Sequence, residues 1–213
     1  MQAEIELLIG ETSLAGAPIF PVSAISGDGI SDLRQRVADM AAETEVRSGN
    51  GHFRLAVDRV FTVAGAGLVV TGTAFAGTVA KEDRLWIAGH DTPVRVRGIH
   101  ANNADSETGQ AGDRLALNLA GLDKDDIVRG DWLVADPALG LFRKLDIRLH
   151  VVADARRPLR HWTPVHVHLG ARNVTGRVAI LGADSAAAGS SALAQLVLDA
   201  PVGACARDRF VIR

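Results

Sequence analysis

The stretch Asp58-Arg-Val-Phe-Thr-Val-Ala-Gly-Ala-Gly-Leu-Val-Val-Thr-Gly-Thr73 sets the fold. Phe53, Leu55 and Val57, followed by Phe61, alternate with polar or small residues, the period of a strand with one buried face. Gly65-Ala-Gly67 makes a turn, and Leu68 to Thr73 reads as a second, buried strand. Downstream, Val94, Val96 and Ile99 alternate with Arg95 and Arg97, and Leu115, Leu117 and Leu119 form another alternating run. Asp131-Trp-Leu-Val-Ala135 supplies a last strand before Pro137. About six short strands with glycine corners predict a small closed barrel over residues 51–137.

The same period returns after Gly140. Leu145, Ile147, Leu149 and Val151 alternate with Asp146, Arg148 and His150, and further strands are expected at 165–169, 176–181, 194–199 and 209–213, with a hairpin tip over 186–191. Residues 141–213 therefore form a second antiparallel barrel. The sequence stops on the strand-like Phe210-Val-Ile-Arg213, so this barrel is expected to lack its closing strand. Upstream, Glu43 to Gly51 reads as a polar linker, and residues 1–48 as helix, strand, helix. Ile5, Leu8 and Ile9 give a short helical face, and Ile19 to Val22 is a strand candidate broken by Pro21. A clearer helix carries Leu33, Val37, Met40 and Ala41 on one face, with Ser31 as its expected cap and Asp32 in its first turn. One strand between two helices has no sheet of its own, so this segment is expected to be the end of a larger domain. The fold class is mainly β.

Composition bounds the function. At 213 residues, nearly half of them apolar, the chain can bury a core. A formal charge of −2 excludes a generally basic nucleic-acid binder but allows a local basic patch. Cys205 is the only cysteine, which rules out an intrachain disulfide and a cysteine-rich zinc site and suits a reducing cytosol. The start Met-Gln-Ala-Glu-Ile-Glu lacks the pattern of a signal peptide, and no apolar run reaches the length of a membrane span. A cytoplasmic monomer without membrane contact is expected.

Two barrels after the last strand and helix of an αβ domain resemble the arrangement of translational GTPases. Ser23-Ala24 followed by Gly27-Asp-Gly29 is similar to their fifth guanine-nucleotide motif, making Ser23 and Ala24 a remnant of that motif. The stretch from Asp58 to Thr73 resembles the signature of their first barrel. Elongation factor Tu and its relatives usually carry threonine after the second glycine and arginine after Thr-Gly. Leu68 and Thr73 stand at those positions here, which resembles the bacterial selenocysteine-specific elongation factors. Val94-Arg-Val-Arg-Gly-Ile-His100, Arg114-Leu-Ala-Leu-Asn-Leu-Ala120, Arg129-Gly-Asp-Trp-Leu133 and Val174-Thr-Gly-Arg177 point the same way.

The resemblance implies a piece of such a factor: the end of its GTPase domain, a barrel that binds the aminoacyl group, and a barrel that binds tRNA. The partner implied is selenocysteinyl-tRNA, with the ribosome and a messenger-RNA hairpin engaged through parts outside this sequence. GTP and Mg belong to the full-length parent. The chain has no Gly-x-x-x-x-Gly-Lys-Ser/Thr phosphate loop and no Asn-Lys-x-Asp motif, so no cofactor, catalytic residue or GTPase activity is expected of it alone. The rival readings are a factor of the elongation factor Tu type carrying ordinary aminoacyl or initiator tRNA, and a non-enzymatic barrel that serves as an interaction module.

By the same resemblance, Asp58, Arg59 and Arg114 surround the aminoacyl group. A selenol is ionised at neutral pH, so two guanidinium groups can favour it over a serine hydroxyl. Asp58 either holds the arginines or receives the α-amino group. Neighbours on a regular strand point to opposite faces, so Asp58 and Arg59 reach one pocket only at a bulge, strand end or rim. Arg156, Arg157 and Arg160 are the densest basic cluster and candidate contacts to the tRNA backbone. His166 and His168 share a strand face, but no cysteine or carboxylate stands at matching spacing, so no metal is expected. Trp86, Trp132 and Trp162 are expected in cores or seams.

Overall fold

The computed structural model describes residues 2–10, 12, 14–43, 51–65 and 67–213. The first module contains β1 (Arg54–Val63), β2 (Gly67–Ala76), β3 (Thr78–Ala80), β4 (Arg84–Ile87) and β5 (Pro93–Ala101). It continues through β6 (Ala104–Ser106), β7 (Thr108–Gln110), β8 (Arg114–Ala120) and β9 (Trp132–Val134). Six of these strands pair in the order β4-β9-β1-β2-β8-β5, and β5 pairs back onto β4, which closes the barrel. The predicted alternation is what fills it. Leu55, Val57, Val70, Val94, Val96, Leu115, Leu117 and Leu133 all point inward and are buried.

The second module comprises β10 (Leu141–His150), β11 (Leu159–Arg160), β12 (Thr163–Leu169), β13 (Arg172–Ile180), β14 (Ser185–Ala186), β15 (Ser191–Gly203) and β16 (Phe210–Ile212). Its main sheet runs β10-β15-β13-β12-β16, antiparallel throughout. Val165, Val167, Val178, Leu196 and Leu198 form its core. Five antiparallel strands leave the edges β10 and β16 running in the same direction. Between them lies an open apolar seam, flanked by Leu145, Ile147, Val167 and Phe210 toward one end and by Leu149 and Ile212 toward the other.

The modules meet across Trp132, which is 2 % exposed and packs edge-on to Phe75 at 5.1 Å between ring centroids. Arg54, itself buried, lies 4.5 Å above the Trp132 ring and is bidentate to Asp208 of the second module, at 2.7 and 3.1 Å. Arg54 and Asp208 are 154 residues apart, and no local pattern in the sequence announces the pair.

The first segment holds α1 (Gln2–Ile9) and α2 (Ile30–Glu43). Two expectations fail here. Ile19 to Val22 is not a strand among the described residues, because no neighbouring strand is present to pair with it. Ser31 is not the cap: α2 begins at Ile30, so Ser31 lies in its first turn, and the Leu33 N–H bonds the carbonyl of Gly29. Neither helix has a buried residue, and Val37 and Met40 are exposed. Most of the predicted linker, residues 44–50, lies outside the described residues.

Candidate functional site

The pairing of β1 with β2 breaks register once at its centre. Val57 faces Gly72 and Arg59 faces Thr71, so Asp58 has no residue of its own opposite: a β-bulge. Val57 and Val60 pack on the core to either side, so Asp58 and Arg59 are both turned toward the outer face. A bulge is one of the three placements that the adjacent pair allowed. The bulge also explains Gly72. A Cβ there would stand 2.1 Å from the Ala56 carbonyl oxygen and 2.7 Å from a methyl of Leu55, so β1 can draw this close only to a glycine.

On that face Asp58 is held from two sides. Arg114, from β8, donates from Nη1 to Oδ2 at 2.5 Å and from Nη2 to Oδ1 at 3.1 Å. Thr71, from β2, donates its hydroxyl to Oδ1 at 2.7 Å. Thr71 belongs to the quoted signature, but pattern reading assigned it no role. Its alternation with Val70 and Gly72 was the signal that it faces outward. The hydrogen bond from Arg114 holds the Asp58 carboxyl below its ordinary 3.8, against the opposing effect of burial, with further lowering from Thr71 and the nearby charge of Arg59. Arg114 is raised in turn by its bond to Asp58.

Among the described residues, no carboxylate lies within ion-pair distance of Arg59, so the three charged groups leave one cation over. Along the same face Arg59, Thr71, Ala116 and His100 lie in one cross-strand row. Ala116 and His100 also line an open depression of about 480 Å³ with Val69 and Gly98. The arrangement can receive a small group and favours an anionic one. A partly exposed site with a spare guanidinium beside a fixed ion pair attracts a charge of opposite sign more than a neutral hydroxyl.

The other predicted residues stand apart from this cluster. Ser23 and Ala24 lie in the turn before α2, where Ser23 accepts the Gly27 N–H at its carbonyl and the Ser26 N–H at its hydroxyl. Arg156 and Arg157 precede β11, and Arg160 ends it. Trp132 is a seam residue as expected, but Trp162 is not: it is 47 % exposed, on a turn at the surface of the second module.

Comparisons with known proteins agree with both modules. Residues 67–134 match the family described as elongation factor Tu domain 2, and residues 146–213 match that described as selenocysteine-specific elongation factor, beta-barrel domain. The selenocysteine-specific elongation factor of Escherichia coli is 41 % identical over 214 aligned residues, covering 100 % of this chain and 33 % of that protein. Its counterpart in Haemophilus influenzae is 40 % identical, covering 99 % and 34 %. The chain thus spans about a third of the curated relatives it matches. Among solved structures, translation elongation factor SelB from Methanococcus maripaludis superposes with a TM-score of 0.86 at 23 % identity, over 99 % of this chain and 50 % of that one. A bacterial selenocysteine-specific elongation factor gives 0.79 at 22 %, over 99 % and 34 %. At those identities the structures speak to the fold alone.

Proposed function

The chain belongs to the family of selenocysteine-specific elongation factors, and from that premise we propose that it is the part of such a factor that holds selenocysteinyl-tRNA. The first barrel takes the aminoacyl group at Asp58, Arg59 and Arg114. One observation carries this reading: both oxygens of Asp58 are already engaged by Arg114 and Thr71, while Arg59 has no carboxylate partner among the described residues. Asp58 therefore acts as the holder of Arg114 and not as the acceptor of the α-amino group. The selenolate of the cargo meets Arg59 and the outward donors of Arg114, and a neutral serine hydroxyl gains much less from the same cations.

Arg156, Arg157 and Arg160 contribute salt-dependent attraction to the tRNA backbone without reading sequence. GTP and Mg act in the full-length factor through its nucleotide-binding domain, of which Ser23 and Ala24 are a remnant. This chain alone turns over no GTP. Contacts with the ribosome and the messenger-RNA hairpin belong to other parts of the parent, a monomer working in the cytoplasm. The open seam of the second module fits the same reading. A closed barrel of purely antiparallel strands needs an even number, and a sixth strand antiparallel to both β10 and β16 would complete it.

The test is binding of selenocysteinyl-tRNA and seryl-tRNA to the full-length parent with GTP, for the native protein and for Arg59→Ala and Arg114→Ala. Each substitution is expected to weaken the selenocysteinyl form by about tenfold or more and the seryl form far less, in line with a charge-assisted bond. Equal losses for the two ligands would sink the selenolate assignment.

A further inference from the structure

Arg114 is the first residue of β8, and strand ends are where a chain frays and a side chain is aimed least securely. The turn beside it supplies a clamp. Asn102 and Asn103 join β5 to β6 as a two-residue loop, with Ala101 facing Ala104 and φ of +52° and +71° at the two asparagines. Positive φ at both positions is what such a hairpin turn demands, and asparagine tolerates it. That demand does not account for the Asn102 side chain, whose bonds leave the turn altogether.

Ala101 lies opposite Leu115, so the next residues along the two strands are Asn102 and Arg114. The Asn102 N–H donates to the Arg114 carbonyl at 2.9 Å, one half of the exchange that an antiparallel pair makes. The other half is made by the side chain in place of the carbonyl: Oδ1 of Asn102 accepts the Arg114 N–H at 3.1 Å. Nδ2 of Asn102 donates at 3.0 Å to Oδ1 of Asp113, whose Oδ2 accepts the Gln110 N–H at 2.9 Å. One side chain thus ties the β5–β6 turn to the β7–β8 turn. Arg114 is held at both ends, by Asn102 at its backbone and by Asp58 at its guanidinium.

We propose that Asn102 is a positioning residue of the aminoacyl site: it acts through Arg114 and not on the cargo, holding the start of β8 so that the guanidinium is aimed at the selenolate. The proposal rests on the reading of Asp58, Arg59 and Arg114 as that site, and adds the part that aims it. Asn102 is exposed and its bonds join neutral groups or meet a carboxylate in water, so they add little to stability. Their effect is one of direction. A charge-assisted bond to a selenolate weakens steeply once its donor shifts or tilts, whereas a serine hydroxyl draws little from the same cation and has little to lose.

The test titrates selenocysteinyl-tRNA and seryl-tRNA into the full-length parent with GTP. Asn102→Gly suits the positive φ and keeps the backbone bond while removing both side-chain bonds. It should leave the thermal midpoint near the native value, yet weaken the selenocysteinyl form about three- to tenfold and the seryl form less than about twofold. Asn103→Gly alters the other turn position, whose side chain does not hold Arg114, and should discriminate as the native protein does. Asn102→Asp sets a second carboxylate against Asp113 and should lose discrimination; combined with Asp113→Asn it exchanges donor and acceptor, keeps every bond and should recover it. A further readout needs no tRNA: in Asn102→Gly the Asp58 carboxyl should titrate closer to its ordinary 3.8 as the bond from Arg114 loosens. Native discrimination in a folded Asn102→Gly protein would overturn the proposal, as would an equal loss in Asn103→Gly, an Asp58 titration that does not move, or a folded double variant that does not recover. If Asn102→Gly kept discrimination while Arg114→Ala lost it, the positioning role would fail and the aminoacyl reading would stand; if neither variant lost it, both would fall.

Discussion

Gly72 makes the candidate site possible, because the bulge at Asp58 exists only where the β1 backbone can approach β2 without a Cβ between them. Gly72→Ala should cost about 1–3 kcal/mol, the usual penalty for forcing a methyl into a packed position. It should also dislodge Asp58 from Arg114, so a chemical-denaturation midpoint and the Asp58 carboxyl resonance should move together. The acid side gives a second check. Asp58 has a folded pKa below its ordinary 3.8, so the stability it contributes is complete above that value and lost as pH falls through the depressed one. The native protein should exceed Asp58→Asn by about 0.2–1 kcal/mol at neutral pH, as befits a pair this exposed, and the gap should close only below about pH 4. A gap closing between pH 5 and 7 would contradict the pairing. At this scale the sequence was legible in kind but not in arrangement. It told that Asp58 and Arg59 can share a face only at a bulge, strand end or rim, but not which of these occurs, nor that Thr71 and Arg114 would engage both carboxylate oxygens, since those partners come from other strands.

The elements of both barrels were legible because one face of each strand is buried, so period-two alternation survives in Leu115, Leu117 and Leu119 or in Leu145, Ile147 and Leu149. Ile19 to Val22 misled because an apolar run specifies a strand only if a sheet is there to receive it. What joins the elements was legible only in Trp132 of β9, expected in a core or seam; its partners Arg54 and Asp208 come from β1 and the loop after β15, and no local pattern links them. That seam yields a sharp prediction. Arg54 is 6 % exposed, so Asp208→Asn strands a buried guanidinium and should cost about 3–5 kcal/mol, while Arg54→Met combined with Asp208→Leu should cost far less. Urea denaturation of the single and the double variant measures the difference. Asp208 also accepts the N–H of Cys205, whose thiol is pushed up by burial. Alkylation of Cys205 should therefore be slow in the native chain and speed up in Asp208→Asn; unchanged labelling would mean that the seam does not depend on this pair.

The whole molecule sets a closed barrel beside an open one, and the difference is one of hydrogen bonds. In the first module every strand of the six-membered ring has neighbours on both sides, whereas among the described residues β10 pairs only with β15, and β13 lies between β12 and β15. The amides of β10 that point away from β15 have no ladder partner, and the apolar seam beneath them gives the edge little else to close against. Native-state hydrogen exchange should separate the two environments: outward amides between Lys144 and His150 should exchange about tenfold or more faster than those of β13, even though both strands border the same core. The contrast also checks the reading of the seam as the seat of a sixth strand. In the full-length factor a strand laid antiparallel along β10 would bond those same amides, so their protection should rise toward that of β13 while the exchange of β13 itself changes little. Equal exchange in the short and long proteins would mean that β10 is a true edge, and that the second module works as an open sheet.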